Sequence, residues 1–393
     1  MTKLPHILFL ASWYPNRHAP ALGNFIQQHA RAAALENRVS VVYASADKTL
    51  EEGKVEVEEN HSGNLSEYRI YYGKITSALP LLSTLKKRQA YRDAVKTGIE
   101  LATTKNGRAD LLHLHVIWPA AVALLPLFDS LKTPLIISEH WSGYLPEDGN
   151  YKGIIQKNIS KRIAEKAQHV TVVSQRMADA MKTHGLGKSF SILPNAVDTN
   201  LFHYKAKQEA EAAGIKLLHV SMLVDKEKNI SGLLRVMKAL EFHPKISLEI
   251  IGEGPERETL ESLVQQIGIL NQNVVFRGFC NAAEIATAMQ SADALIMFSN
   301  YEGMPVTIIE AQCCGLPVIA TKVGYIPNMV NETQGTLVDV SDEAGLKNAI
   351  VDFVMKKNTF DRAKIGNDAT GKYSQLAVAQ ELNHLYASIL QPK

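Results

Sequence analysis

The chain has 393 residues, 46% apolar and 21% charged, enough to bury the cores of two or three globular domains and too ordinary in composition for a disordered or low-complexity protein. Its 42 Lys and Arg against 40 Asp and Glu leave a net charge of +2, too even for a dedicated nucleic-acid binder. Three cysteines, two of them adjacent at Cys313 and Cys314, exclude a disulfide framework.

The first apolar run, Ile7 to Ala11, is too short for a signal peptide and reads as part of a buried strand, His6 to Ala11. Strands follow at Val39 to Ala44, Asp110 to Val116, Leu135 to Ser138 and His169 to Val173. Helices are expected over Phe25 to Leu35, Leu85 to Thr103 and Ile154 to Ala167. The run Val55 to Tyr72 is less regular and reads as an antiparallel excursion. The longest apolar stretch, Leu111 to Phe128, carries His113, His115, Pro119 and Pro126, which suits a strand followed by a packed helix better than a membrane span. The strand rhythm restarts at Ile215 to Val220 and recurs at Ile246 to Ile251, Val274 to Arg277, Ala294 to Phe298 and Val318 to Ala320. Continuous apolar strands alternating with helices predict two doubly wound α/β domains with parallel sheets, facing a central cleft. The boundary falls between Pro194 and Gly214. It gives a first domain over 1–195, a second over 196–373, and a terminal helix within 374–393 that packs back on the first.

The segment Phe298 to Pro317 carries the chemistry. It leaves an apolar strand. Gly303 allows a close backbone approach, Pro305 suits a first helical turn, and Gly315 with Pro317 stops the helix. Met304 to Thr307 should therefore present peptide N–H groups to a phosphate or carboxylate. Glu302 and Glu310, seven residues apart, border one pocket at different depths. A carboxylate in the second turn can accept two hydrogen bonds from a vicinal diol such as ribose, and the one in the loop can reach sugar hydroxyls. The alternative for the pair is a helix-end charge plus a solvated residue. Glu310 lies between Ile309 and Ala311 in an apolar helix, which favours the functional role.

Glu302-Gly-Met-Pro-Val-Thr-Ile-Ile-Glu310 resembles the Glu-x7-Glu signature of retaining GT-B glycosyltransferases of family 4, the group 1 glycosyl transferases. Leu193 to Asp198, Ile251 to Arg257, Val275 to Phe279 and Ser291 to Asp293 resemble further passages of that family, and the likeness is strong over Leu193 to Gly335. The resemblance implies a donor held by Glu310 at its ribose and by Glu302 at its sugar. Gly303, Met304 and Thr307 supply backbone groups, and Lys228 neutralises the diphosphate. It also implies a catalytic role for His140, in Ile136-Ile-Ser-Glu-His-Trp141, facing the donor sugar. Gly23 matches the first loop, which approaches donor and acceptor. Two departures stand out. Met222 occupies a position where the family commonly has Arg, with Lys226 or Arg277 as candidate substitutes, and the usual Gly-Gly is Leu22-Gly23.

His113 and His115 share one strand face, but no third ligand follows at a convincing spacing, so they read as core or cleft histidines rather than a metal pair. Gly252 to Arg257 lacks the third glycine of a dinucleotide fingerprint. No Asp-x-Asp occurs, which argues against a metal-held diphosphate; no metal and no cofactor are expected. The basic run Leu85 to Arg92 reads as a solvated face, with peripheral membrane contact as the alternative. The function expected is metal-independent, retaining transfer of a sugar from a nucleotide-diphosphate-sugar to a hydroxyl of a carbohydrate or lipid-linked acceptor, in polysaccharide or glycolipid synthesis. The expected location is the cytoplasm or the inner membrane face, without nucleic-acid partners. The alternatives are a sugar-nucleotide 2-epimerase of the same architecture and a non-catalytic nucleotide-sugar binder.

Overall fold

A computed structural model describes residues 4–75, 80–146, 148–206, 214–241, 243, 246–269 and 273–390. Most of the Ala-rich part of the expected boundary, 207–213, lies outside the described residues. Contacts divide the chain into two units, Met1–Ala196 with Gln375–Lys393, and Val197–Ser374.

The first unit runs β1 (His6–Ala11), α1 (Asn24–Ala33), β2 (Arg38–Asp47), β3 (Val55–Ser62), β4 (Leu65–Gly73), α2 (Pro80–Asn106), β5 (Leu111–His115), α3 (Ala121–Leu131), β6 (Leu135–Glu139), α4 (Ile154–Lys166), β7 (His169–Val172), α5 (Gln175–Thr183) and β8 (Phe190–Ile192). Its eight-stranded sheet has the order β3-β4-β2-β1-β5-β6-β7-β8. All neighbours are parallel except β3 and β4, which form an antiparallel pair. The irregular run is thus a hairpin, and β3, exposed along its whole length, is a charged edge that discourages further pairing. Every residue of β1 and β5 is buried, because helices cover both faces of the sheet.

The second unit runs β9 (Ile215–Val220), α6 (Asp225–Lys228), α7 (Ile230–Ala239), β10 (Ile246–Ile251), α8 (Arg257–Gln266), β11 (Val274–Gly278), α9 (Ala282–Ser291), β12 (Ala294–Met297), α10 (Val306–Cys313), β13 (Val318–Thr321), β14 (Gly335–Val338), α11 (Glu343–Lys356) and α12 (Arg362–Tyr373). Its six strands are all parallel, in the order β11-β10-β9-β12-β13-β14. The strand order reverses direction between β9 and β12, and ligands bind at such a switch point outside the carboxyl ends of the strands. Leu217, Ile250, Ile296 and Leu233 are among the fully buried residues of its core.

The last helix, α13 (Gln375–Leu390), belongs to the first unit. Its Val378, Ala379, Leu382 and Tyr386 recur at helical spacing and join the first unit's core. Polar residues along it are tied down as well: Gln375 donates to Gln28 at 2.7 Å, and Asn383 accepts from Asn37 at 2.5 Å. Among the described residues, no helix is long and apolar enough to cross a membrane. Cys280, Cys313 and Cys314 are buried free thiols.

Candidate functional site

At the switch point of the second unit, the loop leaving β9 leads into α6 and presents Lys228, while the loop leaving β12 presents Glu302. Lys228 Nζ donates to Glu302 Oε1 at 2.7 Å, and Ser299 Oγ donates to the same oxygen at 2.8 Å. Both charged side chains are largely buried. The two loops are also joined through backbone, since Asn300 N–H donates to the Glu227 carbonyl at 2.8 Å. Thr321 Oγ1 donates to the Ser299 carbonyl at 2.6 Å and fixes the loop from β13. His219, on β9, donates from Nδ1 to the Ile296 carbonyl at 3.0 Å and pairs through Nε2 with Ser221 Oγ at 2.7 Å. Burial pushes its pKa down to about 4, so it is a neutral brace between β9 and β12.

Pro305 sits at the N-cap of α10 rather than within its first turn, and the helix begins at Val306. No side chain caps it. Among the described residues, the Val306 and Thr307 N–H groups have no acceptor, which leaves the positive end of the helix open to an anion. A Cβ added at Gly303 would meet nothing within 4 Å, so the fold itself does not need glycine there. The neighbouring Gly324 is different: it has φ +55°, its added Cβ would stand 1.9 Å from the Glu302 carbonyl oxygen, and Tyr325 N–H donates to the Gly303 carbonyl at 3.0 Å. Met304 is buried and Thr307 half-buried. The Glu310 carboxyl has no hydrogen bond or ion pair among the described residues, and burial alone pushes its pKa up to about 7. Such a group gains by meeting hydroxyl donors.

The two candidate substitutes for the cation missing at Met222 differ. Arg277 donates to Glu249 at 2.8 Å, and Lys216 pairs with the same carboxylate at 2.8 Å, so Arg277 is committed within the sheet. Lys226 is exposed and forms no ion pair among the described residues; Met222 itself is exposed. The glycines of Gly252 to Arg257 have structural reasons. An added Cβ would stand 1.8 Å from the Ser221 carbonyl oxygen at Gly252 and 2.4 Å from the Leu223 carbonyl oxygen at Gly254. Glu253 accepts from Phe279 N–H at 3.1 Å and Glu256 from Asp225 N–H, so carboxylates already fill that turn. It is no anion site.

In the first unit, His140 follows β6. Its ring packs 4.6 Å from Phe25, 5.3 Å from His29 of α1 and 6.1 Å from His115 at the end of β5, by centroids. Burial holds its imidazole well below the usual range, and the neighbouring histidines add to this while the Asn195 amide opposes it. Glu139, fully buried, accepts from the N–H groups of His140 and Trp141 at 2.9 Å, and from Ile117 N–H and Tyr144 Oη at 3.0 Å. It is a latch that fixes the chain around His140. Gly23 is the left-handed N-cap of α1, and an added Cβ would stand 2.5 Å from the Trp13 carbonyl. Glycine there is required by packing. His113 is a satisfied core residue, paired with Tyr386 Oη at 2.8 Å and Ser138 Oγ at 2.7 Å. Beside the ends of β1 and β2, a cavity of ≈ 400 Å³ is lined by Trp13, Tyr43, Tyr72, Tyr91, Trp118 and Arg88, among others.

Sequence reasoning missed Ser299, His219 and His29. Ser299 lies within the segment Phe298 to Pro317, but its bond to Glu302 depends on the loop's turn.

A model of group 1 glycosyl transferases matches residues 203–371, and a model of glycosyltransferase family 4 matches residues 23–201. The chain belongs to the group 1, family 4 glycosyltransferases. This glycosyltransferase is 25% identical to the putative teichuronic acid biosynthesis glycosyltransferase TuaC of Bacillus subtilis, over 88% of each chain. It is 29% identical to a GDP-mannose-dependent alpha-(1-6)-phosphatidylinositol monomannoside mannosyltransferase of Mycolicibacterium smegmatis, over 51% of this chain and 56% of that one. Among solved structures, the sucrose-phosphate synthase of Thermosynechococcus elongatus matches with a TM-score of 0.79 at 22% identity, covering 98% of this chain and 99% of the other. The Anabaena protein HepE, solved with UDP, matches with a TM-score of 0.70 at 17% identity over 98% and 100%. The fold is GT-B, with two Rossmann-like units.

Proposed function

We propose that this glycosyltransferase moves a sugar from a nucleoside-diphosphate donor to a hydroxyl of a carbohydrate or lipid-linked acceptor in polysaccharide or glycolipid synthesis, with retention at the anomeric carbon and without a metal in the transfer step. The observation that carries the donor assignment is the Lys228–Glu302 pair at the β9/β12 switch point, beside the uncapped start of α10. A diphosphate there takes over the Lys228 charge and the Val306 and Thr307 N–H groups. Glu310 accepts the ribose hydroxyls, and Glu302, still held by Ser299, turns to the sugar. Gly303 and Met304 line the approach.

The bond from the anomeric carbon to the diphosphate oxygen breaks, and the electron pair leaves with the diphosphate, whose charge the lysine and the helix dipole stabilise. The acceptor oxygen bonds to the same face, and its proton can pass to the departing oxygen. The stereochemistry rests on the family resemblance, as do the roles of His140 and Gly23 toward donor and acceptor. TuaC is named for teichuronic acid biosynthesis and the mannosyltransferase for a phosphatidylinositol monomannoside, which supports the same acceptor class here. The aromatic cavity of the first unit suits it: Trp and Tyr faces stack on sugar C–H groups, and Arg88 suits an anionic acceptor. A cytoplasmic location, at most peripheral on the inner membrane face, goes with such substrates.

The test is a thermal-shift screen of UDP-, GDP- and ADP-sugars, followed by transfer assays with Glu302→Ala and Glu310→Ala. Both variants should lose transfer, and Glu310→Ala should lose donor affinity. Near-normal transfer and affinity in both would sink the assignment. Conversion of the donor sugar without acceptor would indicate an epimerase instead.

A further inference from the structure

We propose that His29, His115 and His140 bind one divalent transition-metal ion of the zinc class within the first unit. The three side chains can each turn one ligand nitrogen to a common point, these atoms lying within 4.8 Å of one another. They come from three separate elements: α1, the end of β5 beside the β1/β5 switch point, and the residue after the neighbouring β6.

The hydrogen-bond inventory favours a missing ligand over simple packing. His29 donates from Nε2 to the Pro194 carbonyl at 2.9 Å, which fixes its tautomer and leaves the Nδ1 lone pair buried without a partner. A backbone carbonyl on the far nitrogen is the usual arrangement behind a metal-ligating imidazole. Both ring nitrogens of His115 are buried without a hydrogen bond, and neither nitrogen of His140 makes a well-formed one. His113, one strand position pair away, shows the contrast, because both its nitrogens are satisfied by Ser138 and Tyr386. Buried polar atoms are normally paired, so a run of unpaired imidazole nitrogens in one place calls for a partner.

The chemistry selects the ion. Three neutral imidazoles are ligands for zinc, cobalt, nickel or copper, and not for magnesium or calcium, which demand oxygen. Burial holds all three rings neutral near pH 7, so protons do not compete for the lone pairs. Zn–N bonds of about 2.0–2.1 Å set tetrahedral ligand nitrogens roughly 3.4 Å apart, against the 4.8 Å within which they now lie, so the rings close inward on the ion. One nitrogen of His140 suffices for the ion, leaving the other for the role the resemblance gives it. The site is independent of the donor proposal, which rests on the second unit and needs no metal.

The experiment uses the full chain, stripped with chelator and titrated with Co²⁺ and then Zn²⁺. The wild type should take up close to one ion per chain, develop visible d–d absorption of tetrahedral cobalt, and melt at higher temperature with zinc. His29→Gln and His115→Gln should each weaken uptake by about 100-fold or more, since even losing a residue that only supports a ligand costs 10–100-fold. His61→Gln, on the exposed β3, should change nothing. If folded wild-type chain takes up no stoichiometric ion, or if both variants bind as the wild type does, the proposal is overturned. The wild-type titration decides the matter even if a variant fails to fold.

Discussion

Lys228 and Glu302 stand 2.7 Å apart on the two loops that leave the adjacent strands β9 and β12. Without substrate, each neutralises the other. A diphosphate would draw Lys228 away, so the two residues should fail differently. Lys228→Ala should lower turnover by about 10²–10³-fold and weaken nucleoside-diphosphate binding, as loss of a donor to developing negative charge does. Glu302→Ala should abolish transfer while leaving nucleoside-diphosphate affinity unchanged or tighter, because Lys228 is then unopposed. Calorimetry with the nucleotide product, alongside transfer rates, separates the two.

Glu310 sets a pH dependence. With its free pKa near 7, the ionised fraction falls about tenfold between pH 8 and pH 6. If that carboxylate accepts the ribose hydroxyls, donor affinity should fall by about the same factor over that range. Glu310→Gln should give a weak and flat profile. A wild-type affinity that does not change between these pH values would remove Glu310 from the ribose.

The same group should act on stability in the opposite sense to an ordinary paired carboxylate. The folded chain holds the Glu310 proton up to about pH 7, whereas an unfolded carboxyl releases it near 4.5, so the folded state binds more protons between these values. Stability contributed by this group therefore falls as pH rises through that window. Glu310→Gln should be more stable than wild type at pH 8, on the order of 2–3 kcal/mol, and equal to it at pH 4. Denaturant unfolding at both pH values measures the difference.

Two neighbouring glycines should behave oppositely. Gly303→Ala has open space and should leave the melting temperature unchanged while lowering donor affinity. Gly324→Ala meets the Glu302 backbone at a left-handed φ and should destabilise by about 1–3 kcal/mol. Equal melting of both variants would show that the loop relaxes freely.

Glu139 predicts a purely structural loss in the first unit. Glu139→Ala would strand three backbone N–H groups and the Tyr144 hydroxyl, at a cost on the order of 3 kcal/mol. Thermal melting should drop clearly, while nucleotide binding by the second unit persists.

The sequence announced what is local. The alternation of apolar strands with helices placed β1, β9 and β10 residue for residue, because strands buried on both faces are written as unbroken apolar runs. It passed over β8 and β14, which are short and carry exposed or half-buried residues, so their pairing comes from the neighbouring strand and not from their own composition. Glu302 and Glu310 were visible because both sit on one turn and helix. The Lys228–Glu302 pair was not, since it needs β9 beside β12, a fact of topology. His29 was invisible for the same reason: in Gln27-Gln28-His29-Ala30 nothing distinguishes it from a polar helix residue, and only the packing of α1 against the ends of β5 and β6 gives it company.

The return of α13 to the first unit has a consequence for how this chain comes into being. The second unit is one uninterrupted segment, Val197–Ser374, that can mature as soon as it leaves the ribosome. The first unit, begun earliest, must wait for Val378, Leu382 and Tyr386, the closing wedge of its interior, and is completed last. A chain cut after Ala196 would carry a bare apolar trough where that wedge belongs, and would be a poor candidate for expression on its own.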